Sequence, residues 1–240
     1  MNHAVFTRQG GLSPHPWAAL NLGGTVGDDP ERVRKNRQNA LTALGCDPAS
    51  VYDVWQVHGV IVAIAKAPRS QEMPHLQADG ILTNVPGITL MMRFADCVPV
   101  LLHDPIQKVI GIVHAGWLGT VRGVCRNAVE TMKANFGSKP GEILAAIGPS
   151  IGPDHYAIGQ DVVLQVRQAF GQRAPSLLRK HAGAIHFDLW KANRLTLEQA
   201  GIRQIELAGI CTACHTEDWY SHRAEQGRTG RFGAIIALNS

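Results

Sequence analysis

GITLMMRFADCVPVLLHDPIQKVIGIVHAGWLGT, residues 87–120, decides how this chain folds. Its apolar runs GITLMMRF, VPVLLHD and KVIGIVHAG are short, rich in Val, Ile and Leu, and bounded by Gly, Pro or Asp. Such runs read as strands buried on both faces. Only DPIQK separates the last two, which leaves no room for a crossover helix and predicts an antiparallel hairpin. Cys97, just ahead of one strand, and His114, at the end of its partner, then fall near the same end of a sheet.

Working outward, VIVAIAK (60–66) reads as another strand. The stretch from Gly119 to Phe136 has helical period, with Val121, Val124, Cys125, Ala128 and Met132 on one face and Gly137 closing it. GDDPERVRKNRQNALTALGCD (27–47) carries Pro30 and acidic residues at a helix start and Gly45 at its stop. In the second half EILAAIGPS, RQIELAGICTA and GAIIALN read as strands, and QDVVLQVRQAFG and DLWKANRLTLEQAG as helices. Strands interleaved with helices, in places without crossover room, give an α/β chain of the α+β type with mixed sheets.

The 240 residues are 45% hydrophobic and 18% charged, the composition of a folded protein, and no low-complexity linker divides them. One domain over 1–240 is expected. The net charge of +4 is scattered, with no like-charge block that would mark a nucleic-acid or lipid-binding tail. The N-terminal stretch lacks the basic flank and apolar core of a secretory signal, and no run approaches the roughly 18 apolar residues that span a bilayer. A cytoplasmic protein with reduced thiols is expected, so its five cysteines point to ligation, catalysis or burial.

His58 in VWQVHGV stands, like Cys97 and His114, at a strand end, where distant segments can meet. Two imidazoles and a thiolate make a zinc-type set with a fourth position open. No two share the close spacing of a zinc finger, so such a site would be catalytic and not a structural staple. With eleven histidines in the chain, each alone reads equally as a core or loop residue, and spacing leaves both readings open.

CTACH (211–215) matches both a haem-attachment pattern and half of a zinc ribbon. Without an export signal or a second Cys pair, the plain reading is a buried Cys211 and an incidental Cys214, with a redox pair as the alternative. GGTVG and IGPSIG fit neither a dinucleotide fingerprint nor a P-loop, so no dinucleotide cofactor and no NTP hydrolysis are expected. HAGWLGT is a strand-to-helix turn that would aim a helix start near Thr120 at an anion beside His114. Arg223, Arg228 and Arg231 in DWYSHRAEQGRTGRFG suit a phosphate, or form a solvated basic loop.

Taken together, FTRQGGLS, LNLGGTVGDDPERVRKNR, WQVHG, ADGILT, FADCVPVLLHDP, GIVHAGWLGT, IGPSIG, CT and SHR…TGR, in that order, resemble the laccase-domain purine nucleoside phosphorylase family, also known as polyphenol oxidase and, in some bacteria, peptidoglycan editing factor. The likeness covers nearly the whole chain. It implies a four-layer α/β/β/α sandwich related to cysteine hydrolases and deamidating toxins, and a zinc or copper ion held by His58, Cys97 and His114. It also implies phosphorolysis of adenosine, inosine and methylthioadenosine, and deamination of adenosine, so the partners are a purine nucleoside and phosphate. Arg93, ahead of Phe94, departs from the family's small or apolar residue and would alter the pocket charge; Cys214 is extra. A multicopper oxidase would need H-x-H pairs, and this sequence has none.

Phosphate held by Arg223 or Arg231 and by the helix end near Thr120 would attack the ribose anomeric carbon as the purine leaves, and Arg37 of the LNLGG…RKNR motif is expected to bind substrate. In deamination, water would attack the purine C6 while Asp96 moves protons; the plain alternative for Asp96 is a turn cap. A rival reaction class is amide hydrolysis of a peptidoglycan precursor, with Cys97 as nucleophile and His114 as its base.

Overall fold

The computed structural model describes residues 1–70 and 72–238. In chain order the strands are β1 (Asn2–Val5), β2 (Val51–Tyr52), β3 (Val62–Ile64), β4 (Gly80–Thr83), β5 (Thr89–Phe94), β6 (Val98–Asp104), β7 (Val109–Ala115), β8 (Leu144–Ile147), β9 (Ala157–Ile158), β10 (Leu178–His181), β11 (Ala184–Phe187), β12 (Gln204–Leu207) and β13 (Phe232–Ala237). The helices are α1 (Pro30–Ala43), α2 (Trp117–Arg122), α3 (Val124–Phe136), α4 (Gln160–Phe170) and α5 (Leu189–Gln199). The fold is α+β with mixed sheets. A six-stranded sheet runs β12-β8-β6-β7-β4-β3, a four-stranded sheet β1-β13-β5-β2, and a small sheet β10-β11-β9.

The hairpin of β6 and β7 is antiparallel, with Pro99 opposite His114 and Val98 opposite Ala115. Alternation along its strands sends side chains to two cores. On one face Val100, Leu102, Val113 and Ala115 meet Val124, Ala128 and Met132 of α3 and Leu189 and Leu195 of α5. On the other, Leu101, Ile110 and Ile112 meet Leu90, Met92 and Phe94 of β5 and Phe232, Ala234 and Ile236 of β13. The far face of the four-stranded sheet presents Met91 and Ile235 to Ala40 and Leu41 of α1. Each fully buried aliphatic side chain contributes about 1.5–3 kcal/mol, so the hairpin that carries His114 and begins just after Cys97 belongs to the best-held part of the molecule.

Helix α1 starts where the sequence says it should: Asp29 caps it by accepting from the Glu31 and Arg32 amides at 2.8 and 3.0 Å. The helix expected over 119–136 is instead two, α2 and α3, because Gly123 takes φ +85° and ends the first of them. The strand expected over RQIELAGICTA stops at Leu207, and Cys211 touches Ser150 only through an isolated bridge. Of the expected last strand, Asn239 lies outside the described residues. The small sheet is unanticipated, since LRKH and AIHF are short and half polar. Its hairpin turns through Ala182 and Gly183, both at positive φ (46° and 79°). Among the described residues, no helix is long and apolar enough to cross a membrane.

Candidate functional site

His114 lies on β7, almost fully buried at 4% exposure, and Cys97 immediately precedes β6, half-buried. His58 arrives from the loop between β2 and β3. One ligand-type atom from each of the three lies within 4.8 Å of the others, and the His58 and His114 rings sit 4.9 Å apart in an edge-on arrangement. The hairpin register accounts for Cys97 and His114. His58 has a separate cause.

That cause is Asp79, buried at the entrance to β4. Its carboxylate accepts the backbone N–H groups of Val57, His58 and Gly59 at 3.2, 3.0 and 2.6 Å. Three converging amides hold the loop in a tight turn, in which His58 takes the left-handed φ of +59°. The same carboxylate accepts from His114 Nδ1 at 2.8 Å, and the Asp79 carbonyl accepts the His114 amide at 2.8 Å. With Nδ1 committed, Nε2 is the nitrogen His114 offers to the site. Burial alone would raise the Asp79 carboxyl, but the His114 contact and the loop amides outweigh it and hold it below the usual carboxylate range.

Burial would likewise raise the Cys97 thiol, yet His114 first and His58 second outweigh it and bring it down to about 6. Burial opposes a charged His114 ring, and the Cys97 thiolate and Asp79 outweigh that, raising it to about 9. Both shifts favour a thiolate beside an imidazolium. A zinc-class cation held here would take the place of the imidazolium proton, and Cys97 would offer it a sulfur inclined to ionise.

The donor set fits a zinc-class cation. Two imidazole nitrogens and a thiolate are the borderline-soft ligands such ions take. Gly116, the helix cap that follows β7, supplies the room: a Cβ there would lie 2.9 Å from Cys97 Sγ and 2.9 Å from His58 Cδ2.

These residues form the floor of a cavity of about 640 Å³, walled by the aromatics Trp55, Phe94, Trp117 and Tyr156 and by the basic groups Arg37, Arg93, Arg223 and Arg231. Arg93 is tied down, donating to Asp53 Oδ2 at 2.8 Å and to the Val54 carbonyl at 2.7 Å. Arg37 donates to the Leu22 carbonyl at 2.9 Å. Burial and then the neighbouring Arg93 charge lower it to about 10. Arg231 is depressed by burial, against the pull of Asp96 and Cys97. Arg223 donates to the Ala157 carbonyl at 2.8 Å and stacks over Tyr156 at 5.0 Å. Arg228 is exposed and outside the lining.

Two candidates are placed differently from expectation. Thr120 is 2% exposed and its hydroxyl faces Asn193 of α5 at 3.1–3.3 Å, so it joins helices and does not line the cavity. It lies on the inward side of α2, facing α5. Asp96 does line the cavity, but its two oxygens accept from Thr212 Oγ1 at 2.7 Å and from the Arg223 amide at 2.8 Å. Its carboxylate anchors two loops. Sequence reasoning assigns Asp79 no role, and ADG ahead of an apolar strand was the available signal; the glycines of HAGWLGT were expected to let backbone approach a ligand, and Gly116 is the one that leaves room beside Cys97 and His58.

The match to the family described as multi-copper polyphenol oxidoreductase laccase runs over residues 2–239. The chain belongs to this laccase-domain family, whose solved members include proteins named YlmD and YfiH. It is 41% identical over 237 residues to a purine nucleoside phosphorylase of Deinococcus radiodurans, covering 98% of this chain and 88% of that one. It is 35% identical over 241 residues to purine nucleoside phosphorylase YlmD of Bacillus subtilis, covering 97% and 86%. The crystal structure of YlmD from Geobacillus stearothermophilus superposes with a TM-score of 0.94 at 33% identity, over 99% of this chain and 92% of that one.

Proposed function

We propose that this chain is a metal-dependent purine nucleoside phosphorylase whose reaction takes place over His58, Cys97 and His114. The carrying observation is a single cavity with this donor set as its floor and guanidinium groups and aromatic rings as its walls. The names of the relatives support the purine nucleoside phosphorylase part of this reading. Zinc is the preferred ion on cellular supply, with copper the alternative on affinity order.

A zinc-class cation held by the three residues would supply Lewis acidity toward the bound nucleoside or water. The chain's own groups do the rest. Arg37 and Arg231, which among the described residues have no carboxylate within ion-pair distance, would hold phosphate, with Arg223 at the rim. Trp55, 49% exposed at the mouth, and Tyr156 offer faces for the purine ring. A phosphate oxygen forms the new bond to the ribose anomeric carbon; the bond to the purine nitrogen breaks, its electron pair leaves with the base, and the base takes up a proton. Adenosine, inosine and methylthioadenosine are the proposed substrates. Deamination of adenosine, in which water replaces ammonia at C6, belongs to the same site, with Asp96 orienting the loops around it.

The depressed Cys97 thiol beside His114 also favours a second reading, a cysteine-type amide hydrolase acting on a peptidoglycan precursor. The three stacked cores support a four-layer α/β/β/α sandwich formed as one domain, with kinship to cysteine hydrolases, and a cytoplasmic setting suits the free thiols.

Metal-quantified protein incubated with adenosine, with and without phosphate, separates these readings. Phosphate-dependent adenine release that disappears in Cys97→Ala is expected. Turnover retained by Cys97→Ala overturns the site. Hydrolysis of a muropeptide amide that survives chelation and is blocked by iodoacetamide would instead support the hydrolase.

A further inference from the structure

A second group of ligand-type side chains lies outside the reacting cavity: Asp154, His155, Cys211 and Cys214, whose donor atoms all fall within 4.8 Å of one another. We propose that they form a second, structural cation site of the zinc class. His155 Nδ1 stands 3.6 Å from Cys214 Sγ, 3.8 Å from Cys211 Sγ and 3.2 Å from Asp154 Oδ1. Tetrahedral zinc, with Zn–S of about 2.3 Å and Zn–N and Zn–O of about 2.0–2.2 Å, sets sulfur and nitrogen about 3.6 Å apart and nitrogen and oxygen about 3.4 Å apart. The spacing therefore matches a ligand shell with its centre left to fill. An imidazole Nδ1 carries at most one proton and can satisfy one of the three neighbours facing it; a divalent cation satisfies all of them.

The surroundings are built for ligation. Cys211 is buried, and its sulfur accepts the Gly152 amide at 3.1 Å, a contact that stabilises a thiolate. A Cβ at Gly152 would come within 2.7 Å of Asp154 Oδ1 and 3.1 Å of Cys211 Sγ, so that glycine keeps the cluster open. Both cysteines are free thiols spaced C-x-x-C, the spacing that lets one turn present two sulfurs to one ion. Two thiolates neutralise the ion, and the exposed carboxylate completes the shell.

Its place in the fold gives the site a purpose. Thr212, between the two cysteines, donates to Asp96 Oδ1 at 2.7 Å and its amide to the Ser150 carbonyl at 3.1 Å. The Ile151 amide donates to the Asp96 carbonyl at 3.1 Å. A cation bridging 154–155 to 211–214 thus fastens the two loops that hold the neighbour of Cys97, with Tyr156 of the cavity wall adjoining His155.

The test is titration of the full chain, stripped and kept reduced, with Zn²⁺ alone, and with Co²⁺ read by thiolate-to-metal absorption. Cys214→Ser, at an exposed position, and His155→Ala are each expected to bind about one equivalent fewer than the unaltered chain. Cys97→Ala should keep the absorption of a two-thiolate site, which Cys214→Ser loses. Because the readout is the difference between chains, it does not depend on whether the cavity floor binds an ion. Equal stoichiometry in the full chain and Cys214→Ser, or a Cys211–Cys214 disulfide recovered under reducing conditions, overturns the proposal.

Discussion

The two walls of the cavity are made in different ways. Its floor rests on paired strands, and every polar group that aims it is spoken for: His114 Nδ1 by Asp79, the His58 loop by the same carboxylate, Cys97 by the hairpin register. Apart from Arg93 on β5, the basic wall comes from α1 and the C-terminal loop, and those guanidiniums are held by backbone carbonyls, as Arg37 is by Leu22 and Arg231 by Gly230. A set of donors that must meet one cation tolerates little displacement, whereas an anion can be met by long side chains that adjust. On the proposed function, chemistry would fall on the rigid side and substrate capture on the adaptable one.

That contrast breaks most sharply at Asp79. Asp79→Ala removes the acceptor of four N–H groups at once, so Zn²⁺ affinity should fall about 10–100-fold and adenosine turnover with it. Calorimetric titration beside circular dichroism checks this; unchanged zinc affinity in a folded variant would mean the floor aims itself without Asp79. Gly116→Ala comes next. Gly116 has φ −70°, which alanine adopts freely, so any loss must come from the added methyl group crowding Cys97 and His58. Zinc affinity about tenfold lower with little change in melting temperature is expected. The smallest effect belongs to the other wall. Arg37→Ala should raise the KM for phosphate about tenfold while leaving zinc stoichiometry intact, in keeping with loss of one charged hydrogen bond. If it lowered zinc binding as much as Gly116→Ala does, the division between the walls would fail.

Much of this was legible in the chain. The hairpin over 98–115 follows from two apolar runs and a link too short for a helix, and it puts Cys97 and His114 together by local topology. The cap of α1 at Asp29 follows from Asp-Asp-Pro. Gly123 was legible in principle, yet the helical period continues across it, and the break shows only in its backbone. Thr120 misled because its place on a glycine-bearing turn says nothing of which way a helix presents it; Asn193, 73 residues later, settles that. Arg93 was expected to change the pocket charge; it pairs with Asp53 at 2.8 Å, a carboxylate it shares with Arg69 at 2.8 Å, and its charge still depresses the neighbouring Arg37.

The amino-acid sequence by itself determined the central strands and the long helices, the pairing of the central hairpin, the residues able to ligate a soft cation, and the family. These depend on periodicity, short links and side-chain chemistry, all local properties of the chain. Only the tertiary structure decided that Asp79 aims both histidines, that Arg37 and Arg231 face the same cavity from opposite ends of the chain, and that Asp154 and His155 meet Cys211 and Cys214. Those are meetings of segments tens to hundreds of residues apart, set by how sheets and helices stack to bury their apolar faces, and no local pattern carries them.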